Sequence, residues 1–282
     1  MNATQQNTNA PIGLFDSGIG GLSIWRELVR LLPYESTVYV ADSANCPYGF
    51  RSKTEIRAIS ARIITFLLNK GCKLIVVACN TASAAALYWL REQFNVPFVG
   101  LEPALKPAAQ ASQTGHIGIL ATQGTLHGEL LKNTIRTHAQ LVQVHVRVGT
   151  GLVEQIETGQ LDTPMTKKLL FEHLEVLLAE YVDQIALGCT HYPLLQPLID
   201  QILAGRAKAI DPAPAVIRQV KRLLTAHELQ TSMKTSAQKT PVHQFYSTGA
   251  PEQLQRMVNR FSASPITVQS LSLSAINVSR DM

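Results

Sequence analysis

Leu74-Ile75-Val76-Val77-Ala78-Cys79-Asn80-Thr81 is an apolar, β-branched run closed by a thiol and two polar hydrogen-bonders. Such a run, without polar alternation, suits a strand buried on both faces of a parallel sheet. The pattern returns as Ile185-Ala186-Leu187-Gly188-Cys189-Thr190. A second pair of echoes, Ile12-Gly13-Leu14-Phe15-Asp16-Ser17 and Ile117-Gly118-Ile119-Leu120-Ala121-Thr122, occurs in the same order at nearly the same offset. One short match between apolar strands arises readily by chance. Two in register point to two related α/β halves.

Outward from these segments, strands and helices alternate. A strand from Ile12 to Phe15 leads through Asp16-Ser17-Gly18-Ile19-Gly20-Gly21 into a helix from Leu22 to Leu32. Thr37 to Ala41 reads as a strand, and Ser52 caps a helix reaching Lys70 with Ile56, Ile59, Ile63, Ile64 and Leu67 on one face. After Cys79 a helix runs to about Phe94. A boundary falls near Glu102 to Thr114, between Pro103 and Pro107 and an Ala/Gln/Ser-rich stretch. A strand from Ile117, a helix from Leu126 to Thr137, a strand from Leu141 to Val148 and a strand from Gln184 to Leu187 follow. Ala226 to Thr240 reads as irregular, Val242 to Tyr246 as a late strand and Pro251 to Phe261 as a helix. The expected fold is α/β, with two pseudo-symmetric domains, each a mostly parallel sheet flanked by helices, and an active site in the cleft between them. Residues 11–102 with 208–270 are assigned to the first domain, 103–207 to the second, and 1–10 to a disordered tail.

Composition narrows the function classes. The chain of 282 residues is 46% hydrophobic and 16% charged, with a formal net charge of +5. Its basic residues are scattered, which fits a solvated surface rather than a nucleic-acid face. A weak positive field still favours an anionic substrate. The first ten residues lack the apolar core of a signal peptide, and no apolar run has the length of a membrane span. Four cysteines (Cys46, Cys72, Cys79, Cys189) are too few for a disulfide-stapled fold. A cytoplasmic location is expected, where thiols remain available for chemistry. The expected partners are a small-molecule substrate and a second copy of the chain, with no nucleic acid and no membrane.

The repeat places Cys79 and Cys189 at the C-terminal ends of equivalent strands, where ligands bind in open α/β sheets. Two halves facing each other then present two thiols to one cleft. Inverting a stereocentre at Cα needs a base on one face and an acid on the other. Thiols at helix starts can do both, because exposed N–H groups favour the thiolate. His191 beside Cys189 suits proton transfer. Cys189-Thr190-His191 also permits a Cys–His hydrolase, or two ligands of a zinc site that lacks a second pair. Both leave Cys79 without a task. A pair of buried structural cysteines and a non-catalytic amino-acid-binding protein are further alternatives. Asp16 can act as a base beside Cys79, bind an ammonium group, or merely cap a helix. Asp42 sits at a strand end before the turn Pro47-Tyr48-Gly49. Ser17, Asn80, Thr81, Thr190 and the Gly49 backbone can hold carboxylates and an ammonium. No residue pattern marks pyridoxal, flavin or a resident metal, so no cofactor is expected.

Four ordered motifs resemble those of bacterial glutamate racemases, within the aspartate/glutamate racemase superfamily, from about Pro11 to Phe261. They are Phe15-Asp16-Ser17-Gly18-Ile19-Gly20-Gly21, Ala41-Asp42 with Pro47-Tyr48-Gly49, Ala78-Cys79-Asn80-Thr81-Ala82-Ser83, and Gly188-Cys189-Thr190-His191-Tyr192-Pro193. The resemblance implies L- to D-glutamate conversion without a cofactor, supplying D-glutamate for peptidoglycan, with an aspartate or hydantoin racemase as the alternative. It implies that Cys79 and Cys189 work on opposite faces of glutamate, with Asp16 assisting Cys79 and His191 assisting Cys189. It also implies substrate contacts from Asp16, Ser17, Tyr48, Gly49, Asn80, Thr81, Thr190 and His191, and a glutamate on the side of the second cysteine. Glu157 resembles that glutamate, and Glu154 is the alternative. Val148-Gly149-Thr150-Gly151 departs from the Cys-Pro that many members carry there.

Overall fold

The computed structural model describes residues 8–231, 240–262 and 264–276. Strands among these residues are β1 (Ile12–Asp16), β2 (Thr37–Ala41), β3 (Leu74–Val77), β4 (Phe98–Val99), β5 (His116–Ala121), β6 (Gln143–Val148), β7 (Gln184–Gly188), β8 (Lys208–Ile210), β9 (His243–Ser247) and β10 (Val268–Ser270). Helices are α1 (Leu22–Leu31), α2 (Lys53–Asn69), α3 (Asn80–Gln93), α4 (Leu105–Ala111), α5 (Gln123–Leu126), α6 (Glu129–His138), α7 (Leu152–Glu157), α8 (Pro164–Leu178), α9 (Gln196–Leu203), α10 (Ala213–Ala226) and α11 (Pro251–Asn259).

The strands form two sheets, ordered β10-β9-β2-β1-β3-β4 and β6-β5-β7-β8, and every pairing in them is parallel. The segment β2-β1-β3-β4 has the same order as β6-β5-β7-β8, so the echoes read from sequence occupy equivalent strands. Every residue of β1, β2 and β3 is buried. These central strands therefore carry apolar residues without alternation, because helices cover both faces. Strand β9 returns the C-terminal part of the chain to β2, with Thr37 opposite His243 and Tyr39 opposite Phe245.

Helix boundaries follow local chemistry. Ser52 caps α2 as read from sequence, and Glu55 completes a reciprocal capping box. The single helix expected from Leu126 to Thr137 is two helices, because Gly128 takes an extended conformation (ψ 139°) and starts α6 afresh. Strand β8 pairs with β7. Residues 208–210 therefore sit in the second sheet, and the return toward the first comes after Ile210, not before Lys208. That edge strand carries too little apolar pattern for its pairing to show in the sequence.

The tail expectation is corrected for residues 8–10, while residues 1–7 lie outside the described residues. Ala10 is buried. The Thr8 carbonyl accepts from Lys73 Nζ and from Thr231 Oγ1. Lys73 is itself buried against Glu35 at 2.6 Å. Backbone oxygen from Thr8 thus completes the shell of a buried ammonium group that the sequence does not signal. The expected irregular stretch lies largely outside the described residues, at 232–239.

Candidate active site

The C-terminal ends of the two sheets meet. Ser23 Oγ at the start of α1 donates to the Thr190 carbonyl at 3.1 Å, and Thr81 Oγ1 lies 2.9 Å from Thr122 Oγ1. Cys79 follows β3 and Cys189 follows β7, one from each sheet, and both are buried. Their side chains lie close enough for the charge on one to act on the other.

Cys79 caps α3, its Sγ accepting the Ala82 amide at 3.4 Å and facing Ser17 Oγ at 3.8 Å. Burial and the neighbouring Asp16 hold this thiol well above the usual thiol range, against the opposing pull of the Ala82 amide and Ser17. Asp16, at the end of β1, is fully buried. Its Oδ2 accepts the Gly21 amide at 2.7 Å, while Oδ1 has no protein partner. Burial raises its carboxyl, partly opposed by His191. A carboxylate made more basic by burial is better matched to take a proton from a thiol.

The surroundings of Cys189 differ. The expected helix start after it is absent. A single 3-10 turn, Tyr192–Leu195, intervenes before α9. Pro193 and Pro197 explain this, since each lacks an N–H and fits only a first turn. The partner of Cys189 is His191, whose Nδ1 lies 3.6 Å from Sγ. His191 Nε2 is 2.5 Å from Glu157 Oε1. Burial opposes charge on this imidazole, yet Cys189 and Glu157 outweigh it and hold it well above the usual histidine value. Glu157 also accepts the Ile19 amide at 2.8 Å. Of the two glutamates left open by the sequence, Glu157 reaches His191. Glu154, three residues earlier on α7, is exposed.

The glycine-rich loop makes room for these groups. A Cβ on Gly18 would overlap the Glu157 carboxylate, and one on Gly20 would overlap the His191 imidazole. The loop therefore seats side chains rather than a phosphate.

Both side-chain polar atoms of Asn80 are buried without a partner. With Asp16 Oδ1 they leave acceptor and donor capacity for a polar ligand. Asp42 is already engaged: Oδ2 accepts from Tyr48 at 2.6 Å, and Oδ1 accepts from Thr248 at 2.6 Å and Asn45 at 3.0 Å. It fixes the turn that carries Gly49. A cavity of about 430 Å³ reaches Gly49 and Thr81 and is lined also by Arg51, Lys53, His127 and Glu129. Neither thiol is on its wall.

The sequence reading missed Ser23, Thr122 and the Ile19 amide, whose roles arise only where the two sheets meet. It also gave no task to Cys46, a half-buried thiol close to Glu157 and His191. Among the described residues, no helix is long and apolar enough to cross a membrane.

The Asp/Glu/Hydantoin racemase family profile matches residues 12–220. A glutamate racemase of Roseiflexus sp. (strain RS-1) is 47% identical over 251 residues, covering 89% of this chain and 91% of that protein. The crystal structure of a glutamate racemase isoform from Bacillus anthracis superposes with a TM-score of 0.85 at 30% identity, covering 95% of this chain and 99% of that one. That of glutamate racemase from Francisella tularensis in complex with D-glutamate gives 0.81 at 29% identity, covering 95% and 99%.

Proposed function

We propose, from the premise that this chain belongs to the Asp/Glu/Hydantoin racemase family, that it interconverts L- and D-glutamate by a two-base mechanism. It is a glutamate racemase, an isomerase that supplies D-glutamate for peptidoglycan. The observation that carries the mechanism is the pair of buried thiols, Cys79 after β3 and Cys189 after β7, each with its own titratable partner.

The two thiols are unequal at rest. Cys79 is held as a neutral thiol by burial and by Asp16. His191, whose protonated form Cys189 and Glu157 favour against the cost of burial, stands beside Cys189. In the L-to-D direction Cys189 removes the Cα proton, and Cys79 delivers its proton to the opposite face. That leaves Cys79 as thiolate and Cys189 as thiol, the state from which D-glutamate runs back. For another L-to-D passage Cys79 must regain a proton, relayed by Asp16. Cys189 must lose one to His191 as His191 passes its own Nε2 proton to Glu157. Developing negative charge on the substrate is met by fixed dipoles in a site from which bulk water is excluded. Asn80 and Asp16 Oδ1 supply the open hydrogen-bonding capacity, with Ser17, Thr81, Gly49 and Thr190 around them. Asp42, Tyr48 and Glu157 act as positioning residues. The racemase needs neither pyridoxal nor flavin in this reading, since thiols on the two faces of Cα exchange its proton directly.

The division into a first domain (11–102 with the C-terminal return) and a second belongs to this reading, with substrate in the cleft between. So do a homodimer, testable by light scattering, and a cytoplasmic location, supported by four free cysteines. Incubating the purified protein with L-glutamate in D₂O, without added cofactor, tests the activity. Loss of optical activity with one deuteron gained at Cα is expected. Turnover only after pyridoxal phosphate is added would overturn the reading.

A further inference from the structure

The two-base mechanism uses two thiols, and a third stands beside them without a task. Cys46 lies in the segment between β2 and the turn at Pro47. One donor atom each from Cys46, Glu157 and His191 lie within 4.8 Å of one another. The other spare cysteine, Cys72, is packed in the core beneath Gly13. We propose that Cys46, Glu157 and His191 form a binding site for a soft divalent cation of the zinc type, and that occupancy shuts the enzyme off.

The donor set suits the ion. Zinc takes thiolate sulfur, imidazole nitrogen and carboxylate oxygen in tetrahedral geometry, at bonds of about 2.0–2.3 Å. Three donors in one pocket leave the fourth position to water or to a substrate carboxylate. The chain supplies the donors from separate elements. Glu157 ends α7, His191 precedes a 3-10 turn, and Cys46 follows a short 3-10 turn at Ser43–Asn45. The 2.5 Å contact between His191 and Glu157 must open on binding, since two ligand atoms on a tetrahedral zinc lie about 3.3 Å apart. His191 is already fixed by its contacts with Glu157 and Cys189.

The chemistry also sets the consequence. A coordinated thiol gives its proton to solvent and binds as thiolate. His191 too would release a proton to solvent, and the ion would then take the imidazole lone pair and the carboxylate that otherwise serve Cys189. Glu157 would trade its His191 hydrogen bond for a metal bond. The cation is therefore an inhibitor rather than a cofactor. This chain would then sense free zinc through the same histidine that serves its second thiol.

Calorimetric titration of Zn²⁺ into the metal-free full chain tests this, with Cys46→Ala and Cys189→Ala measured in parallel. Binding is read without turnover, so it is judged separately from the racemase reading. One ion per chain is expected. Cys46→Ala should weaken it by at least the roughly 10–100-fold that loss of an outer-shell partner costs a metal site. Co²⁺ in place of zinc should give a thiolate-to-metal charge-transfer band in the near ultraviolet, kept in Cys189→Ala and lost in Cys46→Ala. Racemisation by the parent protein should be inhibited by Zn²⁺ and restored by EDTA, with Cys46→Ala resistant. Absence of binding, unchanged affinity in Cys46→Ala, or a thiolate band that depends on Cys189 instead of Cys46 each overturns the proposal. Should Cys46→Ala not fold, the cobalt spectra of the parent and Cys189→Ala decide alone: a missing band in either overturns it.

Discussion

Glu157 holds His191 by a 2.5 Å contact from its Oε1 to the imidazole Nε2, while the same oxygen accepts the Ile19 amide. The carboxylate thus joins the glycine-rich loop after β1 to the histidine after β7. It links the two sheets beside the second thiol, Cys189.

Glu157→Gln removes the charge that helps to hold His191 above the usual histidine value. The pH limb that reports His191 should then move to lower pH, because an imidazole without its carboxylate loses its proton more easily. A loss of roughly 10²-fold in kcat is expected, at the lower end of what general acid–base groups contribute. His191→Asn should abolish that limb and slow the step at Cys189 more than the step at Cys79. Profiles of kcat/KM against pH in both directions, with Cα-deuterated glutamate, are the measurement. A limb that stays in place in Glu157→Gln would show that the carboxylate does not tune the imidazole.

Cys79→Ser and Cys189→Ser should each lose racemisation by roughly 10²–10⁴-fold, since a serine hydroxyl is far too weak an acid to replace a thiol. Each variant keeps one thiol. Cys189→Ser should still eliminate HCl from the D-enantiomer of a β-chloro glutamate analogue, and Cys79→Ser from the L-enantiomer. Racemisation near the parent rate in either variant contradicts the two-base mechanism. Reversed enantiomer preference contradicts only the assignment of faces.

Asp16→Asn separates activity from stability. Burial raises the Asp16 carboxyl, so ionising it costs the folded state. A raised carboxyl lowers stability as pH climbs past its unfolded value, and the penalty stays at neutral pH. The amide keeps an acceptor for the Gly21 N–H without the charge. A melting temperature a few degrees higher at pH 8 is expected, with no difference near pH 3 and a large loss of kcat. Lower stability of Asp16→Asn at pH 8 would mean that the charge is compensated in the fold.

Gly18→Ala and Gly20→Ala press a methyl group onto Glu157 and His191 respectively. The Glu157 carboxylate is the end of a flexible side chain and can move. The His191 ring is buried and held on both sides, so Gly20→Ala should be the costlier change. The cost to stability should stay near or below the ~1–3 kcal/mol of ordinary overpacking, while kcat falls at least tenfold. Comparing melting temperature with kcat tests this. Full activity in Gly18→Ala would show that Glu157 need not stay where it is.

Deletion of residues 1–10 strips the Thr8 carbonyl from Lys73 and Thr231. An incompletely satisfied buried ammonium group should cost about 1–3 kcal/mol. For a chain of this size that corresponds to a fall of several degrees in melting temperature. An unchanged melting curve would mean that water replaces the carbonyl at no cost.

Much of the site was legible in the sequence because chemistry and topology repeat there. Cys79 and Cys189 stand out as the same residue at the end of two echoing apolar runs, and His191 stands two positions from one of them. Strands β1, β3, β5 and β7 are unalternating apolar runs, a local signal that survives in one dimension. Glu154 and Glu157 were not separable, since both lie on α7 and only the packing of α7 against the loop turns one toward His191 and leaves the other in solvent. Cys46 carried no signal beyond being a cysteine.

The sequence by itself determined the α/β alternation, the duplication and the two thiols, because burial pattern and strand-end chemistry are written locally. Tertiary structure alone decided that Gly18 and Gly20 make room for Glu157 and His191, that Asp42 is spent on Tyr48 and Thr248, and that Thr8 serves a buried lysine. Each of these joins residues far apart in the chain, and their meeting depends on how two sheets dock, a distance that no local pattern encodes.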